Sequence, residues 1–205
     1  MQAGRCWQCE KPAENNLFCK FCNSLQRPLT DYYTFFGLEH KLNLDNADLQ
    51  RRFYQLSKLL HPDHYTRRAQ RERDYSLEAT AILNDGYRIL RDPVKRAEYI
   101  LAEQGFEGGE QRTKDVPPEL LEEVFELNMA LEELVSGDAS VRPQLEEARG
   151  RFRRMQREVD DRLGALYTQW DETKQRESLE EVRGELNRRK YIENLITEVE
   201  KALAA

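Results

Sequence analysis

The 205-residue chain has little of what secreted, membrane or β-rich proteins need: four cysteines, three histidines, ten glycines and seven prolines. Runs that alternate Val, Ile or Thr with polar residues are almost missing, which argues against a sandwich or barrel. No stretch approaches the roughly 18 to 20 apolar residues that span a bilayer, so no membrane partner is expected. The first residues carry neither an apolar signal core nor an Arg/Ser-rich transit segment. A cytoplasmic protein is therefore expected, or a mature form in the mitochondrial matrix. An acidic balance, with net charge −6 and pI near 5.3, weighs against nucleic acid as a partner.

What is present is charge and helical rhythm. Charged residues make up 34% of the chain and hydrophobic ones 39%, enough for modest helical cores. The charge is uneven. Seven basic residues (Arg51, Arg52, Lys58, Arg67, Arg68, Arg71, Arg73) face two acidic ones between Arg51 and Arg73. Six glutamates and no basic residue lie between Val116 and Val135. One positive and one negative region suit an adaptor better than an enzyme, so no catalytic residues are expected.

All four cysteines fall in two knuckles, Cys6-x-x-Cys9 and Cys19-x-x-Cys22, joined by a segment with Pro12, Asn15 and Asn16. Four soft sulfur ligands suit one tetrahedral Zn²⁺, and an all-cysteine set leaves no open position for catalysis. An iron–sulfur cluster is the alternative. Disulfides would need an export signal, and a redox dithiol would need a βαβ setting; neither is seen.

Leu49, Phe53, Leu56 and Leu60 mark one face of a helix that Pro62 stops, because proline lacks an N–H and disfavours helical geometry before it. Asp45 is its expected N-cap, with Asp48 in the first turn. Leu83, Tyr87 and Leu90 set out a second helix from near Tyr75, ending at Asp92-Pro93, where Pro93 starts another. Between the first two lies His61-Pro62-Asp63. His40 and His64 have no such context and read as ordinary surface residues. Gly105, Gly108 and Gly109, with Pro117 and Pro118 beyond, mark a linker over 105–116.

The tail reads as three helices. Leu120, Val124, Leu127, Leu131 and Leu134 form a heptad seam; Val141 to Trp170 repeats it; a third run extends from Glu177 to the end. Such a seam closes within one chain or between two, so self-association stays open. Leu121, Phe125 and Met129 form a second apolar stripe flanked by Glu122, Glu126, Glu132 and Glu133, the pattern of a partner surface.

Residues 31–104, with His61-Pro62-Asp63 and Leu83-Asn84-Asp85-Gly86-Tyr87, resemble a J-domain. The continuation from Asp92 through Leu101 into a three-helix tail resembles the HscB-type co-chaperones of iron–sulfur cluster assembly. The four-cysteine module resembles the zinc-binding extension that some members carry. The resemblance implies an all-α chain: a zinc knuckle at 1–27, a J-domain at 29–104, a linker at 105–116 and a three-helix client-binding bundle at 117–205. It implies that His61, Pro62 and Asp63 trigger ATP hydrolysis by a DnaK/HscA-type chaperone, with Arg51, Arg52 and Lys58 meeting an acidic surface on it. It further implies that Leu121, Phe125, Glu126 and Tyr191 grip an iron–sulfur scaffold protein. Glu122 and Met129 share that face but differ from the residues usual in the family. Gly86 replaces the usual alanine, and at about 1 kcal/mol for a glycine inside a helix it is expected to loosen the hairpin.

Overall fold

The structure, a computed structural model, describes residues 5–13, 16–106 and 120–204. Among them are seven α-helices and no strand beyond two isolated bridges. The chain divides into two compact units, Met1–Tyr99 and Ile100–Ala205. From residue 107 on, the expected linker lies outside the described residues, as does Asn15 of the inter-knuckle segment.

In the first unit, α1 (Tyr32–Phe36) is fixed at both ends by local chemistry. The Asp31 carboxylate accepts from the N–H groups of Tyr33 and Thr34, and Gly37 closes the helix at φ 64°, where a side chain is disfavoured. In α2 (Asn46–Leu60), Asp45 caps the N-terminus as the sequence predicts. The chain leaves the helix at His61, one residue before Pro62. α3 (Gln70–Leu90) begins five residues earlier than the Leu83–Leu90 pattern predicts. Its N-cap is Ala69, whose side chain makes no capping bond, so no sequence signal marks the start. α4 (Pro93–Glu103) follows, with Asp92 accepting from the N–H of Val94 and of Lys95.

α2 and α3 pack as a hairpin. Phe53 stacks on Tyr87 with ring centroids 4.3 Å apart. The Ser76 and Thr80 hydroxyls both donate to the Leu60 carbonyl, at 2.7 and 3.3 Å. Gly86 reverses the expectation placed on it. A Cβ there would sit 2.8 Å from Tyr32 Cδ1 and 3.0 Å from Phe36 Cε2. Glycine is thus what lets α1 lie directly on α3, and it tightens the unit instead of loosening it.

The second unit is a bundle of α5 (Leu121–Val135), α6 (Arg142–Thr173) and α7 (Arg176–Ala204). Gly137, at φ 97°, breaks the chain between α5 and α6, and Lys174-Gln175 alone join α6 to α7. The apolar rhythm read from the sequence becomes the core: Leu145, Phe152, Val159, Leu163 and Trp170 of α6 are buried, as are Leu179, Val182, Ile192 and Val199 of α7. No described helix is long and apolar enough to cross a membrane.

Candidate metal centre and interaction surfaces

The knuckles fold as two copies of one turn. Cys6 N–H donates to the Lys11 carbonyl and Glu10 N–H to the Cys6 carbonyl; Cys19, Ser24 and Asn23 repeat this pairing. Glu10 and Asn23 occupy equivalent positive-φ positions, 59° and 56°. The four sulfurs lie within 4.8 Å of one another, with Cys6–Cys22 at 3.6 Å and Cys9–Cys19 at 3.7 Å. A tetrahedron with metal–sulfur bonds of about 2.3 Å has edges of about 3.8 Å, so the spacing fits a single ion.

The surroundings suit thiolates as well. Gln8 N–H and Gln26 Nε2 both point at Cys6 Sγ at 3.4 Å, and Phe21 N–H points at Cys19 Sγ at 3.5 Å. Ser24 Oγ lies 3.1 Å from Cys22 Sγ and 3.4 Å from Cys6 Sγ. Burial opposes the charged form of Cys6, but the Ser24 hydroxyl and the backbone N–H groups of Cys9 and Gln8 outweigh it and bring the thiol down to about 5. Cys9 moves the other way. The Lys11 backbone N–H favours its thiolate, yet burial and the neighbouring sulfurs prevail and push it up to about 12. Opposite shifts at Cys6 and Cys9 place a thiolate beside a thiol, an arrangement in which a bound cation displaces the remaining proton.

At the end of α2, His61-Pro62-Asp63 opens a short 3₁₀ turn, Pro62–Tyr65. The Asp63 N–H donates to His61 Nδ1 at 3.3 Å, and the Asp63 carboxylate lies 3.5 Å from the same nitrogen. An imidazole that accepts at Nδ1 carries its proton, when neutral, on the outward Nε2. Both side chains are well exposed, at 53% and 85%. The turn is pinned from beneath by buried Tyr65, whose hydroxyl donates to the Leu59 carbonyl at 3.0 Å. The motif is therefore a preformed, outward-facing knob.

The basic residues of α2 do not all behave alike. Arg51 and Lys58 are exposed, with Arg51 paired to Asp48. Arg52 is occupied within its own unit: it bonds Asp48 at 2.8 Å and donates to the carbonyls of Phe36 and Gly37 at 3.1 and 2.8 Å. It holds the C-terminus of α1 on α2. His64 is exposed, as expected of a surface residue. His40 is exposed as expected too, with its ring tilted against that of Tyr33 at 4.5 Å and 3.3 Å from the Asp31 carboxylate.

On α5 the two apolar stripes separate. Leu120 and Leu127 of the seam are buried, and Val124, Leu131 and Leu134 are half-buried. Leu121, Phe125 and Met129 remain 55%, 65% and 48% exposed, so the core does not use them. Glu122 is exposed, and Glu126 pairs with Arg151 of α6 at 3.0 Å. Tyr191 of α7 is half-buried; burial, and then Glu198, raise its phenol above the ordinary value. Beside Met129 runs a groove lined also by Glu126, Ala130, Glu133, Gln144, Glu147 and Arg151. The α6 residues of this groove were invisible to helix periodicity, which sees one helix at a time.

Comparison with known proteins agrees with both halves of the chain. The DnaJ domain matches residues 31–99, and the HSCB C-terminal oligomerisation domain matches residues 116–200. The human iron-sulfur cluster co-chaperone protein HscB is 30% identical over 197 residues, covering 93% of this chain and 79% of that protein. A co-chaperone HscB homologue from Vibrio parahaemolyticus is 41% identical over 105 residues, covering 51% of this chain and 61% of that one. The crystal structure of human HscB superposes with a TM-score of 0.74 at 28% identity, covering 96% of each chain. On these matches, with an outward HPD turn and an all-helical tail, the chain belongs to the HscB family of J-domain co-chaperones.

Proposed function

We propose that this co-chaperone carries an iron–sulfur scaffold protein to a DnaK/HscA-type chaperone and stimulates the chaperone's ATPase. The observation that carries the reading is a pair of separate exposed features: the preformed HPD turn in one unit and the unburied Leu121–Phe125–Met129 stripe in the other. The turn supplies a rigid contact that biases the chaperone between two states, while Arg51 and Lys58 raise the encounter rate through salt-sensitive attraction. The stripe on α5, with Glu122, Glu126 and Tyr191, takes the client.

The test is His61→Gln. The His61 side chain is 53% exposed and glutamine keeps its polarity, so folding and client binding stay intact while ATPase stimulation disappears. Stimulation at the wild-type level would overturn the reading.

The four thiols hold one structural Zn²⁺ in this proposal. Their close spacing leaves room for one ion at the centre and favours zinc over a multi-iron cluster. Elemental analysis finding one zinc per chain, with thiols unreactive to dye until a chelator is added, is the expected result. Iron and sulfide in the purified protein would sink it.

A further inference from the structure

The knuckle is tied to the HPD hairpin through a single buried carboxylate. Glu72, in the first turn of α3, is 5% exposed. Its Oε1 accepts from the backbone N–H of Leu25 at 3.1 Å, forty-seven residues away in sequence. Leu25 is fully buried and held on its other side as well, where Trp7 Nε1 donates to its carbonyl at 2.8 Å. Ser24, the residue before it, touches Cys6 and Cys22. The short segment Cys22–Leu25 thus has one end at the thiols and the other at Glu72.

From Glu72 the connection continues along α3. Ser76 lies one helical turn on, on the same buried stripe, and its hydroxyl donates to the Leu60 carbonyl, immediately before His61. Glu72 also lies near enough to Tyr65, the residue that pins the HPD turn, to raise that phenol after burial has done most of the work. A buried carboxylate that loses its N–H donor carries a full desolvation penalty, so it moves to find water. Moving Glu72 means loosening the first turn of α3.

We propose that Glu72 is a positioning residue that couples the filled state of the four-cysteine knuckle to the rigidity of the HPD turn. When the thiols hold their ion, Leu25 presents its N–H, Glu72 stays buried, and the start of α3 grips the residues around His61. When the ion is lost, the segment frees Leu25, and the turn becomes mobile although no residue of it touches the knuckle. The inference rests on the reading of the thiols as a metal site, which elemental analysis checks separately.

The experiment is amide hydrogen exchange on the full chain, metal-loaded and chelated, for the wild type, Glu72→Ala and Glu72→Gln. In the wild type, chelation speeds exchange across residues 61–66 and 70–76 by about tenfold, the size expected for one charge-assisted hydrogen bond. Residues 83–90, deeper in α3, change little. Glu72→Ala shows the faster exchange even when loaded and gains nothing further on chelation. Glu72→Gln keeps a neutral acceptor for Leu25 and falls between the wild type and the alanine variant. Should the alanine variant fail to fold, Trp7→Phe removes the donor to the Leu25 carbonyl while keeping an aromatic ring beside Arg71, and gives a smaller shift of the same kind. Two results overturn the proposal: proven loss of the ion with unchanged exchange at 61–66, or an alanine variant that still responds to chelation as the wild type does.

Discussion

The two units of this chain are held together by different physics. The second is a bundle whose stability comes from repetition: buried apolar residues recur along α6 and α7, and any one of them does the same job as the next. The first is held by single placements, such as Asp31 and Gly37 capping α1, Arg52 holding its carbonyls, Gly86 admitting it and Glu72 joining the knuckle. Repetition spreads stability over many buried side chains, whereas placement fixes geometry at single points. The exposed His61-Pro62-Asp63 knob belongs to the unit that depends on placement, where a fixed geometry can be specified.

Substitutions sharpen the contrast. The largest effect is expected in the bundle. Phe152→Ala removes a fully buried ring and should cost about 3–5 kcal/mol, read as a lower denaturant midpoint for the second unit. Gly86→Ala comes next, at about 1–3 kcal/mol, because the new methyl must push α1 off α3. A neutral or stabilising result would mean that α1 rides on α3 loosely, and the comparison would fail there. Arg52→Ala should cost about 1 kcal/mol, since its bonds to two carbonyls and Asp48 are half-exposed, and calorimetry should show it confined to the first unit. Smallest of all, Phe125→Ala should change stability by less than about 0.5 kcal/mol, its ring being 65% exposed. In the proposed function the same change abolishes client binding measured by titration calorimetry. A drop in stability as large as that of Phe152→Ala would show that the ring is core.

The same division decided what could be read from the sequence. The seam of the tail, the break at Gly137, the Asp45 cap and the stop at Pro62 all follow from local periodicity or local backbone chemistry, and each is in the structure. The two C-x-x-C pairs converge because each turn carries its own geometry. Three features were not legible. The start of α3 has no capping side chain to announce it. Gly86 reads as a weak point until the rings of Tyr32 and Phe36 are seen above it. Glu72 reads as one more acid in a charged segment, because its partner is a backbone N–H forty-seven residues earlier. Helical rhythm reports which face is apolar, but it does not report which distant group comes to meet that face.

The two-residue connection between α6 and α7 also has a consequence for how the chain assembles. Lys174 turns the backbone at φ 54°, and the cross-helix pairs Arg162–Glu185, Asp160–Arg189 and Arg153–Glu200 lie progressively farther from it. Closing a short loop sacrifices little chain entropy, so pairing begins at the bend and runs outward like a zip over helices about 48 and about 44 Å long. Val182 and Val199 are both fully buried on α7, one near the bend and one far from it. Truncating the first to alanine should slow folding, and truncating the second should speed unfolding, as separate arms of a chevron would show. Equal effects on both arms would mean that the helices dock whole. With the zip intact, the rate at which this bundle forms is set at Lys174-Gln175, and its lifetime is set at the opposite end.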